Sequence, residues 1–161
     1  MIIKKKKKKI NNGKRFEEDF IGSLPENVYR LRLKDAGGWS NATNTRFTIK
    51  NPCDFIIQSE GNELSMIELK SHKGKSVPYD VFKQYDDLVK FQDDYSFIYC
   101  GAVFNFSDLE ETYLISIDNL KIIKERSNRK SFGYDDVREL GILILQKKKI
   151  TRWTYDLVDL F

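Results

Sequence analysis

Apolar residues recur along this chain with two periods. From Gly13 to Leu24, Phe16, Phe20, Ile21 and Leu24 follow at helical spacing, and Gly22-Ser23 with Pro25 marks the end of that helix. Glu17 stands one turn before Ile21, at the edge of the stripe, with Glu18 and Asp19 further out. Val28 to Leu33 alternates apolar and basic positions, which predicts a half-exposed strand presenting Arg30 and Arg32 on one face. Asp35 to Thr45 is polar and Gly-rich and reads as a loop.

Two apolar runs follow, Pro52 to Ile57 and Leu64 to Lys70, joined by a Gly61-Asn62 turn. After the basic loop His72 to Ser76, a helix is expected from about Tyr79 to Gln92, with Val81, Gln84, Leu88 and Phe91 on one face. Ser96 to Phe104 and Tyr113 to Ile117 read as strands. Leu120 to Glu125 reads as a helix started by Asp118-Asn119, and Tyr134 to Leu140 as a short helix closed by Gly141. Ile142 to Leu145 is short and apolar, and Tyr155 to Phe161 is expected to be a short helix over the core. The sum is an α/β chain with a central mixed sheet flanked by helices.

At 161 residues the chain fits one domain, divided here into a basic tail at 1–12 and a folded unit at 13–161. No stretch approaches the ~20 apolar residues of a membrane span, and the lysines after Met1 precede no signal core, so a cytoplasmic location is expected. Cys53 and Cys100 lie in apolar runs and read as buried thiols rather than a disulfide. With His72 the single histidine, a histidine-based zinc or iron site is disfavoured. Net charge is +4, but Lys4 to Lys9 is an unbroken basic run, read either as solvated tail or as a salt-sensitive phosphate contact.

The candidate chemistry lies in the two apolar runs. Asp54 lies in one, and Glu68-Leu69-Lys70 closes the other fourteen residues later. Strand side chains alternate, so Glu68 and Lys70 share a face. Two carboxylates with the Leu69 carbonyl match the hard oxygen ligands of Mg²⁺, for which Mn²⁺ substitutes, and Lys70 would steady an attacking water. Glu17 would join from the first helix. Gln84 is read either as orienting water or phosphate or as capping a backbone group. The bland alternative makes Glu68 and Lys70 a surface ion pair.

Gly13 to Glu17, Pro52 to Phe55, Glu68 to Ser71 and Gln84, in that order, resemble the PD-(D/E)xK (restriction-endonuclease-like) nuclease superfamily. Arg129 to Val137 and Tyr113 to Ser116 resemble its RecU branch of Holliday junction resolvases, found in Gram-positive bacteria and their phages. That resemblance implies a homodimer nicking four-way DNA junctions symmetrically with Mg²⁺ or Mn²⁺. It implies catalytic and metal roles for Asp54, Glu68 and Lys70, with Glu17 carried over beside them, and a stalk between Lys70 and Pro78. Lys14, Arg15, Arg30, Arg32, Lys73 and Lys75 are the candidate DNA contacts. Two alternatives stay open: another endonuclease of this core acting on duplex DNA, and an inactive DNA-binding module of the same fold.

Overall fold

The computed structural model describes residues 11–33, 36–40, 45–49 and 51–161, the side chains among them being those of 11–33 and 51–161. In chain order the elements are α1 (Asn12–Gly22), β1 (Tyr29–Arg32), β2 (Ala36–Ser40), β3 (Thr45–Ile49), β4 (Phe55–Gln58), β5 (Leu64–His72), β6 (Ser76–Pro78), α2 (Tyr85–Asp94), β7 (Tyr99–Phe106), β8 (Glu111–Ser116), α3 (Ile117–Arg126), β9 (Ser131–Gly133), α4 (Tyr134–Leu140), β10 (Ile142–Ile144), β11 (Gln146–Lys149) and β12 (Arg152–Tyr155).

Six strands form the main sheet in the order β1-β4-β5-β7-β8-β10. Only β5 and β7 run parallel within it; the other neighbours are antiparallel, so the sheet is mixed, as the sequence predicts. β7 is buried on both faces because its alternate residues feed two cores. Ala102, Phe104 and Phe106 join Met66, Leu88, Leu120 and Phe132 beneath α2, α3 and α4. Val103 joins Phe16, Phe20, Ile67, Leu69 and Tyr155 beneath α1 and β12.

Local chemistry sets the helix ends. Asn11 caps α1 by accepting the Lys14 N–H, and Ser116 caps α3 by accepting the Asn119 N–H. α4 keeps its expected bounds and stops at Gly141, where a Cβ would come within 2.6 Å of the Val137 carbonyl.

Four expectations are corrected. The loop expected at Asp35 to Thr45 contains β2 and begins β3, which pair with each other with Gly38 opposite Phe47; Asp35 and residues 41–44 lie outside the described residues. A Gly-rich strand held by backbone bonds carries no apolar alternation to announce it. The second helix begins at Tyr85 rather than Tyr79, because 79–84 are tied down as successive turns: Tyr79 N–H donates to the Lys130 carbonyl and its ring packs 4.6 Å from Phe132.

The expected C-terminal helix is instead the end of a β-hairpin followed by a turn. Arg152 to Tyr155 pairs with Gln146 to Lys149, and α1 supplies the anchors: Asp19 accepts the Trp153 N–H (3.0 Å) and Ser23 Oγ the Tyr155 N–H (3.0 Å). No stalk stands between Lys70 and Pro78. β5 continues to His72, a three-residue turn carries Lys73, Gly74 and Lys75, and β6 pairs at once with β9.

Candidate active site

The fourteen-residue spacing has a geometric basis. β4 and β5 pair antiparallel with Phe55 opposite Ile67, so the residue before Phe55 comes opposite the residue after Ile67: Asp54 meets Glu68. Asp54 is fixed from two sides. Its carbonyl accepts the Leu33 N–H (2.9 Å), and its Oδ2 accepts the Leu69 N–H across the hairpin (2.8 Å). Glu68 is fully buried in the central strand, beside Ala102 of β7. Lys70 follows on the same face and donates from Nζ to Glu68 Oε1 at 2.5 Å.

Glu68 Oε2 is buried and has no hydrogen-bond partner among the described residues. A carboxylate held this way is poorly solvated. Burial, then the nearby charge of Asp54, push the Glu68 carboxyl up to about 8 against the opposing pull of Lys70. Glu17 is raised for the same two reasons in the same order, although Arg32 pairs with it at 2.5 Å. The Cys53 thiol, next to Asp54, is pushed up to about 12, chiefly by burial, and both cysteines are free.

A cavity of about 390 Å³ opens beside this cluster, lined by Glu17, Arg32, Leu33, Asn51, Cys53, Asp54 and Gln84, with Glu68 and Lys70 behind Asp54 rather than in its wall. α1 brings Glu17, β1 brings Arg32, and the loop into β4 brings Asn51, Cys53 and Asp54. Gln84 reaches it from the turn before α2, not from within a helix, and its Oε1 is buried with no partner among the described residues. The backbone-capping reading of Gln84 therefore finds no bond from Oε1.

The structure thus brings Glu17, Asp54, Glu68, Lys70 and Gln84 into one neighbourhood. The candidate DNA contacts divide. Arg32 enters the cavity and Arg30 is exposed along the β1 edge, while Lys73 and Lys75 are exposed in the turn after β5. Lys14 and Arg15 belong to another surface, where Arg15 donates to the Thr151 carbonyl. The Arg32–Glu17 pair was missed at the sequence level, since it follows from β1 pairing with β4, Arg32 opposite Phe55, which no local spacing encodes.

Among the described residues no three His, Cys, Asp or Glu side chains gather closely enough to hold a metal ion. The carboxylates are turned to other partners: Asp54 to the Leu69 N–H, Glu68 to Lys70 and Glu17 to Arg32. The donor set nevertheless suits Mg²⁺, which binds through one or two carboxylates and keeps waters and phosphate oxygens for its other positions. The unpartnered Glu68 Oε2 is the oxygen that such an ion would use.

A mixed sheet with a helix before it, an Asp and Glu-x-Lys hairpin at its centre and helices behind it defines a PD-(D/E)xK-like core. Among solved structures the chain is similar to Hjc of Archaeoglobus fulgidus, a Holliday junction resolvase from an archaeal hyperthermophile, with a TM-score of 0.51 and 19% identity over 81% of this chain and 95% of that one. At that identity the likeness shows the fold, and it does not single out the RecU branch. No family model matches the chain, and no curated protein matches it. No helix among the described residues is long and apolar enough to cross a membrane.

Proposed function

We propose that the chain is a divalent-metal-dependent endodeoxyribonuclease, hydrolysing DNA phosphodiester bonds at the cluster of Asp54, Glu68 and Lys70. The observation that carries this reading is the fully buried Glu68 with an unpartnered oxygen, opposite Asp54 and bonded to Lys70. A structural ion pair would be expected to satisfy both carboxylate oxygens, since an unpaired buried polar atom costs about 1–3 kcal/mol.

Asp54, Glu68 and the Leu69 carbonyl would hold Mg²⁺ or Mn²⁺, with Glu17 contributing directly or through water. When bound, the ion would lower the pKa of a coordinated water and polarise the scissile phosphate. Lys70 would move from Glu68 toward the attacking water and offset charge developing on the phosphate. Gln84 would orient water through its free Oε1, or phosphate through its Nε2 amide. Arg32, released from Glu17, would pair with the DNA backbone.

Duplex DNA is the broader substrate. A four-way junction, cut by paired nicks from a homodimer, is the narrower reading, supported by the likeness to a resolvase and by the RecU-like stretch Arg129 to Val137. Cleavage of a labelled junction and of linear duplex, each with Mg²⁺ and with a chelator, separates the two. Preferential cutting of the junction supports resolution; equal cutting leaves a general endonuclease. A wild type that binds DNA but never cuts it leaves an inactive module of the same fold. Lys4 to Lys9 lie outside the described residues, and deleting them is expected to weaken DNA binding and flatten its salt dependence.

A further inference from the structure

A second cavity lies across α1 from the catalytic cleft. Asn12, Phe16 and Asp19 follow one another at four- and three-residue spacing, forming a stripe of the helix that Glu17 does not share. This cavity holds about 430 Å³, within the range of sites that enclose a small ligand. α1 contributes Asn12, Arg15 and Phe16 to its wall, and the β11–β12 hairpin contributes Lys148, Ile150 and Trp153. Lys148 Nζ stands 5.2 Å from the centre of the Trp153 ring, so cation and aromatic surface are presented together.

The hairpin tip is costly in two ways that its own packing does not explain. Lys149 pairs with Arg152, leaving Ile150 and Thr151 as a two-residue loop. Ile150 has φ 53°, a left-handed conformation at a position that glycine normally fills and a β-branched residue rarely adopts. It is also 95% exposed, so burial returns nothing for the strain. Lys149 directly opposite Arg152 is a like-charge pair, and Lys147 and Lys149 have no carboxylate partner among the described residues.

The tip is also held firmly. Asp19, itself buried, accepts from Arg152 Nε (2.5 Å) and from the Trp153 N–H, and Arg15 bonds the Thr151 carbonyl. A rigid, basic hairpin ending in an exposed aliphatic side chain suits a polyanion with an apolar interior. Lysines contact phosphates, and aliphatic wedges enter base steps and unstack them. Beside the wedge, half-buried Trp153 and the largely buried Phe16 line a wall that suits the face of a base, with Arg15 at its rim and Lys148, once it leaves Glu110 (3.3 Å), placed for the phosphate.

We propose that β11–β12 and the first turn of α1 form a second DNA contact, at which Ile150 enters the base stack and the adjacent cavity takes the unstacked nucleotide. This deepens the DNA-cutting reading and rests on it for the identity of the ligand. The full chain is titrated, in chelator so that cutting does not intrude, into duplexes and junctions carrying 2-aminopurine at successive positions. Wild type is expected to raise the fluorescence several-fold at one or two positions. Glu68→Gln retains that signal. Ile150→Gly, which removes the strained side chain, melts no lower than wild type yet loses the signal even when saturated with DNA, and Lys149→Ala weakens binding and lowers the salt slope.

An undiminished signal with Ile150→Gly overturns the inference. So does DNA binding by wild type with no enhancement at any position, and if cutting in Mg²⁺ persists in that case, the nuclease reading survives it. Absence of DNA binding, or binding to anionic vesicles in its place, overturns both.

Discussion

Glu68 and Thr112 are both completely buried polar residues of the same six-stranded sheet, on opposite faces, and their surroundings differ in kind. Thr112 stands in a continuous chain of bonds. Ser71 Oγ donates to Asn105 Oδ1, Asn105 Nδ2 to Thr112 Oγ1, Thr112 Oγ1 to Gln146 Oε1, and Gln146 Nε2 to the Glu110 carbonyl. Glu68 has one bond, to Lys70, and an oxygen left over. Satisfied polar networks hold an architecture in register, whereas an unsatisfied carboxylate lowers stability unless something binds it. Solvent exposure alone would not tell the two apart; their bonding does.

The sharpest way to break this contrast is Glu68→Gln. It is expected to reduce divalent-dependent DNA cleavage by at least about 10²-fold, by analogy with loss of one electrostatic group in a catalytic site. The variant should be no less stable than wild type above pH 8 without metal, as urea melts would show. A destabilised variant that still cuts would place Glu68 with Thr112 among structural groups.

The pH dependence comes next. The Glu68 carboxyl titrates near 8 in the folded chain against 4.5 for an unperturbed glutamate, so between those values the folded state holds a proton that the unfolded state has released. Stability from this group is complete below about 4.5 and is lost as pH rises through about 8. Thermal melts in chelator should show that decline, and Glu68→Gln should remove it. Mg²⁺ must displace the proton, so its stabilising effect should grow with pH up to about 8.

Thr112→Val tests the other face. It strands the Asn105 donor and the Gln146 acceptor, at a cost of about 1–3 kcal/mol in urea melts, while the cleavage rate per folded molecule stays at the wild-type value. Ser71→Ala is the mildest change, removing one part-buried bond to Asn105 for about 0.5–1.5 kcal/mol. An effect of either on cleavage larger than on stability would mean that the two faces communicate.

What could be read from the sequence follows the same division between local and distant pairing. The Asp54–Glu68 spacing is legible because a hairpin converts sequence distance directly into register, and α4 is legible because its apolar spacing and Gly141 are local signals. Arg32 reaches the site only through β1 lying beside β4, and Gln84 through turns pinned to Lys130 and Phe132. Tyr155 to Phe161 reads as a terminal helix because what places Tyr155 in a strand, its hairpin partner Gln146 and the anchors Asp19 and Ser23 over 130 residues earlier, leaves no local signal. Periodicity reports how a segment is buried, not which remote residue completes it.

The parallel joining of β5 to β7 has a consequence for how the molecule comes into being. Ser65 to His72 of β5 are each aligned with a residue 34 positions further on, as Ser71 is with Asn105. Closing a loop of that length carries an entropic cost before any contact returns it, and such pairings form late and slowly. Until β7 is in place, Glu68 lacks the strand that flanks it on the side away from β4. The Glu68 carboxyl is enclosed only when β7 joins β5, so the proposed divalent-dependent cleavage is expected to appear together with that pairing.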